Sequence, residues 1–238
     1  MHMLSPRWLA AIFVPAAGLL VLIAIGGATG YLDFRSLMAD ATAVGELHPF
    51  TGAMSNLGVL LWWTAATVSL FAAAVVGRRD ETGASRFLLS AGLLSVCLAV
   101  DDLFLIHETL DRGWGIPEEV VFAALGLAVG LHLFVFRRLI RHTSYGLLIV
   151  ALVMLGASVA MDTIFHPWVR PLGHWEFFLE DGAKWLGIVS WCAYYTSASL
   201  QLVGAAVPAS ARTRAPVIEW KPAGIEGERD AARRRVRG

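Results

Sequence analysis

Six stretches of the chain are almost continuously apolar, and each is long enough to cross about 30 Å of hydrocarbon as a helix. They run over Trp8–Gly30, Met54–Val76, Phe87–Leu110, Pro117–Phe136, Tyr145–Phe165 and Phe177–Val203. The apolar positions do not alternate with polar ones, which predicts helices and argues against a β-barrel. The first stretch exceeds the apolar part of a signal peptide and lacks a small-x-small cleavage pattern, so it counts as a span. From about Ala205 the sequence turns to Ala, Arg, Pro and Glu and ends in "ARRRVRG". The expected architecture is all-α and integral to a membrane: six transmembrane helices over residues 1–204, then a disordered basic cytoplasmic tail over 205–238.

Composition agrees. The 238 residues are 57% hydrophobic and 16% charged, whereas a soluble domain carries about 25% charged residues. A net charge of zero gives no footing for a nucleic-acid partner. Cys97 and Cys192 lie singly inside apolar runs and read as small buried apolar residues, with neither a disulfide framework nor a redox motif.

Charge by loop orients the helices. Fifteen Lys and Arg residues fall before the first helix, after the second and fourth, and in the tail; the other three loops hold one each, Arg35, Arg112 and Arg170. The positive-inside rule therefore puts both termini in the cytoplasm, as expected of a bacterial inner-membrane protein. The same topology brings thirteen of the nineteen acids to the outer loops or outer helix halves. "DDLFLIHE", "PEE", "MDTIFH" and "EDGAK", far apart in sequence, then share one membrane depth. Charges in hydrocarbon cost roughly 2.5–3.5 kcal/mol each on insertion scales, so residues gathered there need partners or a task.

Each motif has a plain reading beside a functional one. On one continuous helix, Asp101 and Glu108 share a face, and His107 points about 120° away on a stripe with Asp111. Solvation at a helix end explains Glu108 and Asp111, but poorly explains Asp101 and Asp102, about two turns deeper. Pro117 followed by Glu118 and Glu119 is ordinary helix-start chemistry; of the two acids, Glu119 is expected to turn inward. Ser158, Asp162 and His166 form an i, i+4, i+8 stripe ended by Pro167, in which Asp162 and His166 can grip one ion. Lys184 has Glu180 and Asp181 in its own helix at ion-pair spacing. His132, near the inner end of the fourth span, reads as a satisfied interior histidine. Trp114, Trp168 and Trp175 suit an aromatic belt at the outer boundary.

"DDLFLIHE" and "EDGAKWLGI" resemble the signature of a family of uncharacterised bacterial polytopic inner-membrane proteins, over about residues 50–200. That resemblance implies a membrane location and brings no activity. "MSNL", "HETL" and Glu118 or Glu119 are more faintly similar to parts of the pattern of alkaline ceramidase and adiponectin-receptor-type membrane hydrolases. The late HxxxH of that class and one of its seven spans are missing here.

The residues support three functional expectations. The first is a metal-dependent hydrolase of lipid or amphiphilic substrates, with its centre at the periplasmic end of the bundle. Zinc, manganese or iron would be held by His107, Glu108, Asp162, His166 and Glu180, with Asp101, Glu108, Glu119 and Lys184 as catalytic groups. The second is a non-catalytic membrane protein whose buried ion pairs hold the bundle or dock a partner. The third is an ion or proton transporter, against which the inner halves of the helices offer almost no ionisable group except His132.

Overall fold

A computed structural model describes residues 6–31, 33, 38–39, 41–77 and 83–206, and the described chain separates into two compact units, 1–57 and 58–238. The expected tail, from Val207 onward, lies outside the described residues.

All regular structure among the described residues is helical: α1 (Pro6–Ala28), α2 (Ala41–Val44), α3 (Ala53–Val76), α4 (Ala84–Phe104), α5 (Ile106–Trp114), α6 (Glu118–Ile140), α7 (Gly146–Thr163), α8 (His166–Val169), a 3-10 turn (Arg170–Leu172) and α9 (His174–Ala206). Four of these, α3, α4, α6 and α7, are long and apolar enough to cross a membrane. In the first unit, α1 is 23 residues long and carries Pro15, and its described side chains include an apolar run over Phe13–Ala28. The 33 residues of α9 extend about 50 Å, but its first three turns carry Glu176, Glu180, Asp181 and Lys184.

The expected third span is corrected. Instead of one helix over Phe87–Leu110, the chain breaks after Phe104 and restarts at Ile106. Leu105 sits in the left-handed region at φ 49°, a conformation costing an L-residue roughly 1–2 kcal/mol. Asp101 underwrites the break: its backbone carbonyl accepts from Leu105 N–H, and its side chain accepts from His107 N–H at 3.1 Å. The α7 helix also stops early, at Thr163, so His166 opens α8 and does not continue the Ser158–Asp162 stripe.

The second unit is held by small residues and buried hydrogen bonds, as expected where lipid supplies no hydrophobic contrast between helices. Gly92 lets α4 approach α3 so closely that a Cβ there would lie 2.6 Å from Leu70, and Gly187 seats α9 against Leu155 of α7 in the same way. Trp191, Tyr194, Tyr195 and Phe87 form the buried centre. Their polar atoms are paired: Trp191 Nε1 donates to Ser95 Oγ at 3.0 Å, and Tyr194 Oη meets Thr143 at 2.9 Å. His132 is bridged on both nitrogens, by Ser90 Oγ at 2.9 Å and Tyr195 Oη at 3.0 Å. It is the satisfied interior histidine the sequence suggested. Cys192 is buried but Cys97 is exposed, so only one of the two cysteines fits the core role expected of both.

Candidate functional site

Within the second unit, α6 packs on α4 and α5, α7 packs on α9, and α9 closes on α4. The α6 and α7 helices make few close backbone approaches to each other. Between these walls lies a cavity of about 590 Å³, within the 300–1,000 Å³ typical of small-molecule sites.

One end of the cavity is polar. Asp101 and Asp102 reach it from the end of α4, His107 from α5, Asp162 from the last turn of α7, and Glu180 and Lys184 from α9. Most of the remaining lining is apolar, from Phe122 down to Leu133 on α6 and from Ile164, just past α7, back to Leu152 on it. The cavity thus brings together Asp101, Asp162, Glu180, His107 and Lys184.

Two acid–base pairs organise this end. Because the chain turns back at Leu105, His107 Nδ1 comes within 2.9 Å of Asp101 Oδ2. Both side chains are 12% exposed, and the ring stacks at a tilt on Phe122, centroids 5.0 Å apart. The carboxylate fixes the ring tautomer, leaving Nε2 as its second functional nitrogen. His107 lies beyond the end of α4, and the hydrogen bond it donates to Asp101 holds its imidazole above the ordinary 6.5 against the opposing effect of burial. In the second pair, Lys184 Nζ lies 2.5 Å from Asp102 Oδ1. Asp102 Oδ2 is buried without a hydrogen-bond partner, beside the backbone of Gly58.

The other expected site residues fall differently. Glu108 pairs with Arg112 on the outer face of α5, one turn along the same helix, and does not line the cavity. That is the solvated helix-end arrangement. Glu118 is half-buried and Glu119 exposed, the reverse of the expected order. Glu118 and Glu180 both lie within electrostatic reach of Asp162. The side chain of His166 lies outside the described residues. Lys184 takes its partner from across the helix interface and not from Glu180 or Asp181.

Among the described residues, no three His, Cys, Asp or Glu side chains group to hold a metal ion. Of the expected ligands, Glu108 is paired with Arg112, and His107 is paired through Nδ1 with Asp101.

Sequence reasoning missed Asp102 as a site residue and missed the glycines. Gly126 and Gly130 of α6 and Gly156 of α7 line the cavity, and a Cβ on any of them would meet nothing within 4 Å. The Gly126-xxx-Gly130 spacing was a readable signal, although it ordinarily marks close helix packing rather than open space.

One protein-family model, described as Domain of unknown function (DUF8692), matches residues 9–198. Neither the curated proteins nor the solved structures provide a match.

Proposed function

The chain belongs to the DUF8692 family, and we propose that it is a multi-pass inner-membrane hydrolase acting on the head-group linkage of an amphiphile. In this reading six helices cross the membrane, both termini are cytoplasmic, and the polar end of the cavity faces the periplasm. The observation that carries the reading is the placement of two acid–base pairs, Asp101–His107 and Asp102–Lys184, at one end of a largely apolar cavity. An apolar cavity alone would suit any hydrophobic ligand. A histidine held by a carboxylate beside a half-exposed ammonium adds the parts that ester or amide hydrolysis requires.

The chemistry follows from the tautomer. Asp101 accepts from Nδ1–H, so Nε2 of His107 takes a proton from water as that water's oxygen bonds to the substrate carbonyl carbon. Lys184, held by Asp102, offers its ammonium to the oxygen that becomes negative. On collapse the carbon–leaving-group bond breaks, and the leaving alcohol or amine takes the proton back from Nε2. Water supplies both the nucleophile and the proton, and no covalent enzyme intermediate forms.

The test is turnover. Protein reconstituted in bilayer discs of native-extract lipid should release a chain or head fragment detectable by mass spectrometry. His107→Ala should lower that release by about 10²–10⁴-fold, the usual share of a general base, and Asp101→Asn by somewhat less. Release unaffected by His107→Ala, or no release by the parent protein, would replace this reading with one in which the pairs only hold the bundle together.

A further inference from the structure

Below the two acid–base pairs, the lining residues of three separate helices cover equal lengths of helix. Those on α6 run from Phe122 to Leu133, those on α7 from Thr163 to Leu152, and those on α9 from Glu180 to Trp191. Each interval is eleven residues, about 16 Å at 1.5 Å per residue, or roughly half of a 30 Å hydrocarbon layer. The floor is stiff. Trp191 is pinned by its hydrogen bond to Ser95 and sits edge-on to Trp62 and against Tyr195, while Leu133 and Leu152 pack on the buried core.

The width is set by absent side chains. The α6 lining recurs at 122, 125, 126, 129, 130 and 133, a single helical face. Gly126 and Gly130 leave that face hollow where a larger residue would fill it, and Gly156 does the same on α7. Taking a methylene as about the size of a water molecule, near 30 Å³, 590 Å³ holds roughly 20 such groups. That matches one long chain with a small head. At the polar end, Asp101, Asp102, Asp162 and Glu180 outnumber Lys184 and His107, so an anionic head would meet net repulsion.

We propose that this cavity is a measured slot for one hydrocarbon chain of a lipid whose head is not anionic, taken in from the bilayer through the gap between α6 and α7, with Leu133, Leu152 and Trp191 setting the longest chain it accepts. The inference rests on reading the polar end as the head-group site, and it adds the substrate class. The chain is selected by length because the slot ends on a packed floor, and by number because the volume matches one long chain.

Binding tests it independently of turnover. A series of 1-monoacylglycerols from octanoyl to oleoyl, and the fatty-acid anions of the same chains, is titrated onto the purified full-length protein and read by native mass spectrometry. The parent should tighten with chain length up to a limit and then plateau or weaken, and the anions should bind at least about tenfold more weakly. Gly130→Leu, placed where there is open space, should weaken the longest bound chains at least about tenfold, equivalent to about two lost buried methylenes. The octanoyl probe should stay within about twofold. Leu133→Ala should move the limit to longer chains, so the two variants shift in opposite directions. Affinity that ignores chain length, or variants that shift together, would overturn the slot. The same series on His107→Ala separates the two proposals. Length selection there, with no turnover by the parent, leaves the slot standing and removes the hydrolase. Hydrolysis by the parent without length selection does the reverse.

Discussion

Lys184 Nζ lies 2.5 Å from Asp102 Oδ1, tying α9 to α4 across 82 positions of sequence. Only 5% of the Asp102 side chain is exposed, against 36% of Lys184, so the two halves of this pair are unequal. Lys184 can recruit water if its partner is lost. Asp102 cannot, and its second oxygen already lacks a hydrogen bond.

Lys184→Met should therefore destabilise the protein by about 2 kcal/mol, less than the 3–5 kcal/mol of fully buried pairs because solvent reaches the ammonium. Asp102→Asn combined with Lys184→Met removes the stranded charge and should recover at least half of that loss. Thermal unfolding in one detergent checks both. A double variant as unstable as the single would mean that the charge is not what matters.

The Asp101–His107 pair predicts a pH signature. The folded His107 pKa is raised above its unfolded value of about 6.5, chiefly by the Asp101 hydrogen bond. A raised histidine contributes stability that is fully present below the unfolded pKa and is lost as pH rises through the folded pKa. The melting-temperature gap between the parent and His107→Gln should be largest below about pH 6.5 and shrink toward higher pH. A gap that widens as pH rises would show that His107 is held neutral.

Much of this was legible in sequence, for identifiable reasons. Long apolar runs mark helices whatever packs on them, so α3, α6 and α7 appear close to their expected bounds. Loop charge brought Asp101, Asp162, Glu180 and Lys184 to one end because it depends on topology and not on side-chain detail. Rotation about a helix depends on unbroken backbone, and there the reading failed. Nothing in "DDLFLIHE" announces a left-handed leucine, yet that residue turns His107 back onto Asp101 and leaves Glu108 outside with Arg112. Among the anticipated metal ligands, Glu108 was counted without asking whether Arg112, four residues on, already neutralises it.

The glycines divide into two kinds that should respond oppositely to alanine. A Cβ at Gly187 would lie 2.6 Å from Leu155 and 3.0 Å from its backbone nitrogen, whereas Gly156 has open space. Gly187→Ala should cost about 1–3 kcal/mol through overpacking. Gly156→Ala should be neutral or stabilising by up to about 1 kcal/mol, since alanine favours helix. Unfolding midpoints that fail to separate the two would contradict the packing described.

Leu105 supplies a second backbone test. Its φ of 49° suits glycine and is worst for a β-branched side chain. Leu105→Val should lower stability by more than about 1 kcal/mol, while Leu105→Gly should be tolerated or mildly stabilising. If the order reverses, the break between α4 and α5 does not form as described, and the Asp101–His107 contact goes with it.

The orientation proposed for the bundle stands on loop charge, and it decides which side of the membrane the acid–base pairs face. Arg78, Arg79 and Arg86 flank one loop and Arg137, Arg138 and Arg141 another, while the polar end of the cavity belongs to the opposite helix ends. Alkaline phosphatase fused at Gly113 or Leu172 should be active, because that reporter folds only after export, and fusions at Thr82 or after Ala215 should be silent. A fluorescent protein that folds only in the cytoplasm should give the complementary pattern at all four sites. An active phosphatase at Thr82 with a silent one at Gly113 would turn the site toward the cytoplasm. The slot would then draw its chain from the inner leaflet, and the same acid–base pairs would meet a cytoplasmic substrate.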